Sequence, residues 1–130
     1  MVKHRCKGVE KMITETISLS GFTGTEQYHK GYLNVNLTDG VYFIGCNSAS
    51  WLITDVCSVL KAEQKVKKEE FVAIKFKVNP DDTATAIYTD GNEKVLFSQE
   101  YKHTDFLKHF KESEVYFYFT NNVLMLSSEY

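Results

Sequence analysis

The chain has 130 residues, 43% of them apolar and 14% aromatic, with one proline and a quarter of its positions charged. That composition suits one folded domain with a real core and argues against disorder. Net charge is −2, and the only arginine, Arg5, stands in a basic N-terminal stretch, so no guanidinium occurs from Cys6 to Tyr130. An acidic body without arginine is poorly equipped to read base edges, clamp phosphates or follow a nucleic-acid backbone. Direct nucleic-acid binding is therefore not expected.

Residues 1–12 set Lys3, Arg5, Lys7 and Lys11 against Glu10, about +3, which leaves the remainder near −5. Periodic sequence begins only beyond them. The expectation is a disordered basic leader over 1–12, with Met12 as an alternative start, followed by a single α+β domain over 13–130. Cys6, Cys46 and Cys57 are odd in number and lack CxxC spacing, so buried thiols in a reducing cytosol are expected rather than a disulfide framework. No run resembles a signal peptide or a membrane span. The expected location is cytoplasmic.

In chain order, Thr23 and Glu26 form a capping-box pattern that predicts a short helix ending near Leu33, with Tyr28 and Tyr32 one turn apart. Asp39-Gly40, between Asn34–Thr38 and Val41–Cys46, suits a type I′ turn, so the stretch reads as a hairpin or as a strand entered by a tight turn. Ser48 or Ser50 then opens a helix running to about Lys68, with Leu52, Val56, Val59 and Leu60 on one stripe. Val72, Ile74, Phe76 and Val78 alternate with Ala73, Lys75 and Lys77 in a half-buried strand. After the Asn79–Asp82 turn come strands over Thr83–Thr89 and Lys94–Tyr101, joined by the Asp90-Gly91-Asn92 turn. Thr104–Phe110 reads as a helical turn or loop. Val115–Thr120 and Val123–Leu126 are the last strands, separated by Asn121-Asn122. The sum is an α+β fold, an antiparallel sheet of about five strands with two helices packed on one face. Both faces of Val115–Thr120 are aromatic, so that strand is either covered twice or offers Tyr116 and Tyr118 as a contact surface.

Motifs for chemistry are sparse. Four Thr-Asp pairs, at Thr38, Thr54, Thr89 and Thr104, lie mainly where Asp serves turn geometry. An acid/base or divalent-metal grouping of Asp39, Asp55 and Asp105 is the functional alternative. His4, His29, His103 and His109 have no ligand spacing, and a Cys57–His29 dyad has no local motif behind it. GxSxG, P-loop and GxGxxG patterns do not occur. No catalytic residue, metal or cofactor is expected. Tyrosine and tryptophan carry protein interfaces, which makes Tyr28, Tyr32, Trp51, Tyr116, Tyr118 and Tyr130 the candidate binding residues.

The phrases Phe22–Tyr28, Thr38–Tyr42 and Trp51–Asp55 come in a characteristic order. Asp90-Gly91-Asn92, Thr104–Phe106 and Ser128–Tyr130 follow them. That order resembles a family of small bacterial proteins of unknown function, also met in mobile genetic elements, over nearly all of Phe22–Tyr130. His29 stands where a second aromatic is usual, and the stretch after Leu60 is richer in lysine. The resemblance implies that Thr23, Glu26, Asp55, Asp105 and Glu129 belong with Tyr28, Trp51 and Tyr130 to one shared set, and the physical jobs of caps and turns point to a structural role. The resulting expectation is a non-enzymatic protein-binding module that modulates a host macromolecule, such as a phage- or plasmid-borne inhibitor of a bacterial defence system. A small hydrolase built on Asp and His, and a dimeric structural protein, are the alternatives.

Overall fold

Strict alternation of apolar and polar side chains shapes the C-terminal half. The computed structural model describes residues 18–19, 21–22, 24–25, 27–92 and 94–130. Phe71–Val78 forms β3, with Val72, Ile74, Phe76 and Val78 buried on one side. Ala84–Thr89 (β4), Val95–Tyr101 (β5), Glu114–Thr120 (β6) and Val123–Leu126 (β7) complete the antiparallel part. Each lies within a residue or so of its predicted span. The β6–β7 link is a two-residue turn with Asn121 at φ 53° and Asn122 at φ 62°, the double left-handed geometry of a type I′ hairpin.

The sheet is larger and less uniform than expected. Among the described residues it has seven strands in the order β1-β2-β7-β6-β3-β4-β5. The two extra strands are two-residue pieces, His29–Lys30 (β1) and Asn36–Leu37 (β2). β2 runs parallel to β7, so the sheet is mixed. Neither piece carries an alternating pattern long enough to read, and the parallel pairing joins residues far apart in sequence.

The segment before residue 40 departs furthest from expectation. Thr23, Glu26 and the leader 1–12 lie outside the described residues. Where the capping box predicted a helix up to Leu33, the described chain instead holds β1 and a 3-10 turn at Tyr32–Asn34. Leu33 (φ 56°) and Asn34 (φ 66°) there sit in the left-handed region, which ends regular helix. Asp39-Gly40 is no hairpin turn either: it opens helix α1, Asp39–Cys46. The run Val41–Ile44 is too short for periodicity to distinguish helix from strand. Burial of Val41 and Ile44, three residues apart, marks the helical face.

The second helix, Ser50–Ala62 (α2), carries the predicted stripe, with Leu52, Ile53, Val56, Cys57, Val59 and Leu60 all buried. It stops six residues short of the predicted end. Glu63 takes an extended conformation (ψ 122°) and caps a separate turn, Gln64–Lys67 (α3). That break lets Val66 return to the core at 1% exposure. Phe106–His109 is one helical turn, α4. Trp51 of α2 and Phe106 of α4 both meet the ring of Phe76 edge-on, so the helices cover the Val72–Val78 side of the sheet. No described helix covers the other side.

Cys57 is a free, buried thiol, pushed up to about 11 by burial. Cys46 is disulfide-bonded, which corrects the expectation of thiols throughout. Among the described residues no helix is long and apolar enough to cross a membrane.

Candidate functional site

The residues singled out in the sequence separate into three neighbourhoods. The first surrounds the N-terminus of α1. Glu129 lies in the 3-10 turn Ser127–Glu129 that follows β7. Its carboxylate accepts hydrogen bonds from the Thr38 hydroxyl (2.6 Å), the Gly40 amide (2.9 Å) and the Leu126 amide (3.1 Å). A carboxylate there satisfies orphan helix donors and meets the positive end of the helix dipole. Gly40 makes the approach possible: a Cβ at this position would lie 2.6 Å from a Leu126 methyl and 2.7 Å from Glu129 Oε1. The Ser128 hydroxyl donates to the Phe22 carbonyl at 2.5 Å, and the Asp39 amide donates to the Thr25 hydroxyl at 2.8 Å.

On the same helix end, His29 Nε2 lies 2.9 Å from Asp39 Oδ1. The His29 ring stacks on Tyr42 at 3.9 Å, only 2° from parallel. His29 thus does the stacking that an aromatic would do at that position and adds a polar contact. The three phrases Phe22–Tyr28, Thr38–Tyr42 and Ser128–Tyr130 are distant in sequence and meet here. Their common appearance in the family pattern was the only signal available for it.

The second neighbourhood is the contact of α2 with the sheet. Trp51 packs edge-on against Phe76 and Tyr101. One turn along the helix, Asp55 accepts a hydrogen bond from the Tyr101 hydroxyl at 3.1 Å. Burial first, and the Asp55 charge second, raise the Tyr101 phenol above its ordinary range. Tyr88 is fully buried, its hydroxyl has no hydrogen-bond partner, and desolvation raises it too. Trp51 and Asp55 both take part in the contact between α2 and the sheet. Asp105 is elsewhere, before α4, 3.4 Å from His109. The three aspartates thus have three separate partners, and no group of three or more His, Cys, Asp or Glu that could hold a metal occurs among the described residues. His103 is exposed.

The third neighbourhood is the uncovered side of the sheet. Strand register aligns Ala73 with Tyr118, Lys75 with Tyr116, and Lys77 with Glu114 across β3 and β6. Tyr116 is 44% exposed and Tyr130 is 75% exposed. The Tyr118 and Tyr130 rings meet edge-on at 5.2 Å, and Phe71 joins both, at 5.1 and 6.0 Å. The Tyr116 hydroxyl donates to Glu114 at 2.8 Å, and that bond raises its phenol above the ordinary value. Of the six expected binding residues, Tyr116, Tyr118 and Tyr130 gather here. Tyr28 and Tyr32 are exposed near β1, and Trp51 is on the helix-covered side. A separate groove of about 650 Å³ between the α2–α3 end and the β6–β7 turn is walled by Lys61, Lys67, Glu69 and Asn121 among others. None of the expected residues lines it.

Among the described residues, a seven-stranded mixed sheet with helices on one side and an aromatic platform on the other defines a small α+β protein. The chain belongs to the Family of unknown function (DUF6876), whose model matches residues 14–130. No curated protein and no solved structure matches it.

Proposed function

We propose that this protein is a non-enzymatic protein-binding module that modulates a host macromolecule by occlusion, with the open sheet face as its recognition surface. The observation that carries this reading is the cluster of Phe71, Tyr118 and Tyr130 beside Tyr116, all facing away from the helices. Aromatic rings with few rotors and a hydroxyl at the tip are the side chains that dominate protein interfaces. An acidic cytoplasmic module of this size suits an inhibitor carried by a phage or plasmid against a bacterial defence system, with the negative charge of the chain as a whole, not of this balanced face, steering the approach to a basic partner. The test is affinity capture from bacterial lysate with wild type and with Tyr118→Lys. Recovery of a defined protein by wild type, lost in the variant, is expected. Identical recovery by both overturns the assignment of the surface.

A second reading rests on the His29–Asp39 contact of 2.9 Å, since a carboxylate that orients an imidazole is the arrangement of general-base catalysis. Hydrolytic turnover of a chromogenic ester panel that disappears in His29→Phe would support it. No turnover, with the fold of His29→Phe retained, removes it.

A further inference from the structure

We infer that the resting occupant of the open sheet face is a second copy of this chain. The inference rests on the reading of that face as a protein-recognition surface and specifies what covers it in the absence of a host partner. Charge is the first ground. Across β6, β3, β4 and the edge strand β5 the face carries Lys75 and Lys77 against Glu100 and Glu114, as strand register shows. A balanced face of mixed sign repels neither itself nor a neutral partner, whereas it offers a polyanion or polycation nothing in excess.

Register is the second ground. An isologous interface needs a surface that complements itself about a two-fold axis. An axis running along the strands between β3 and β6 turns each cross-strand pair onto its own reverse. Lys77 then faces Glu114 of the second copy, and Lys75 faces Tyr116. Within one copy the Lys75 ammonium already lies 5.9 Å from the Tyr116 ring centre, so a cation–π contact fits these two side chains. Ala73 faces Tyr118, small against large. Sheets packed in this aligned manner sit about 10 Å apart with interdigitated side chains.

Area is the third ground. Five adjacent strands, β7-β6-β3-β4-β5, at about 4.8 Å spacing and about 21 Å in mean length present roughly 500 Å² per copy. Two copies reach about 1,000 Å², at the small end of specific interfaces, where weak and transient ones fall. The association is thus strong enough to close the face and weak enough for a tighter partner to displace it.

Light scattering on the full chain across a concentration series is the test. Wild type is expected at twice the 15.0 kDa of one chain. Lys77→Glu and Glu114→Lys each place like charges opposite one another and are expected at the single-chain mass, with an unchanged circular dichroism spectrum. An equimolar mixture of the two variants restores opposite charges at both contacts and is expected to return to the doubled mass, a result that the internal Lys77–Glu114 contact (4.0 Å) does not produce. Wild type at 15.0 kDa throughout, or a doubled mass indifferent to both substitutions, overturns the inference. If wild type is a monomer and Tyr118→Lys still abolishes lysate capture, self-association falls while the recognition surface stands. If the variants mix back to a dimer and capture ignores Tyr118, the face serves the second copy and no host protein.

Discussion

The side chains of β6 divide between two environments. Val115 and Phe117 point into the helix-covered layer, where Phe117 is fully buried, whereas Tyr116 and Tyr118 alternate with them toward the uncovered side. Both sides are built from large apolar groups, and period-2 geometry alone decides which group seals the core. The inward positions use hydrocarbon with no polar atom to satisfy. The outward positions use rings tipped with a hydroxyl, which tolerate water until something displaces it. One strand thus separates a core-sealing side from a water-facing aromatic side without any change in backbone.

Three measurements break or sharpen that contrast. The largest effect is expected from truncation of the inward face: Phe117→Ala should cost about 3–5 kcal/mol in urea unfolding, whereas Tyr118→Ala should stay within about 1 kcal/mol. Comparable losses for both would show that the outer rings are structural. The next effect tests the anchor that joins the end of the sheet to α1. Glu129→Ala removes a charged acceptor from three donors and is expected to cost about 2–3 kcal/mol, read from the same unfolding curves. Gly40→Ala, whose methyl collides with Leu126 and Glu129, should lose stability in the same direction.

The smallest effect belongs to the buried thiol beneath α2. Burial raises Cys57 from 9.0 to about 11, so the folded state holds its proton after the unfolded chain has released it. Its contribution is complete below pH 9 and is lost as pH climbs toward 11, with a slope of about 1.4 kcal/mol per pH unit. Tyr88 and Tyr101, also raised, steepen the fall above their ordinary range. Cys57→Ala should flatten the onset between pH 9 and 10 in pH-dependent denaturation. An unchanged onset would mean the thiol reaches water in the folded state.

The contrast also marks how far the sequence could be read. The alternation Val72–Val78 and Val115–Phe119 is local and survives inspection of a few residues at a time, as does the helical stripe Leu52–Leu60. The aromatic outer side of Val115–Thr120 was legible only as one of two options, covered twice or exposed, because the alternation alone does not say what packs on each side. Asp39-Gly40 misled, because the same dipeptide serves a hairpin turn or a helix entry, and the choice is made by Glu129, 89 residues further along. The parallel β2–β7 pair was invisible for the same reason: Asn36 and Leu37 take their register from Val123 and Leu124. Asp55 accepts from the Tyr101 hydroxyl, a partner that no local pattern announced, and Asp105 meets His109. What stayed illegible was every contact whose partner lies outside the local window.

The pairing of Asn36 and Leu37 with Val123 and Leu124 has a consequence for biosynthesis. During translation the segment around residues 36–40 emerges early, yet its strand neighbour and its carboxylate partner come from residues 123–129. Contacts that span so much chain carry a large closure entropy and form late. On the ribosome, β3, β4 and β5 can zip through short hairpins while β2 waits for β7, so the sheet closes at β2 only after residues 123–129 have emerged.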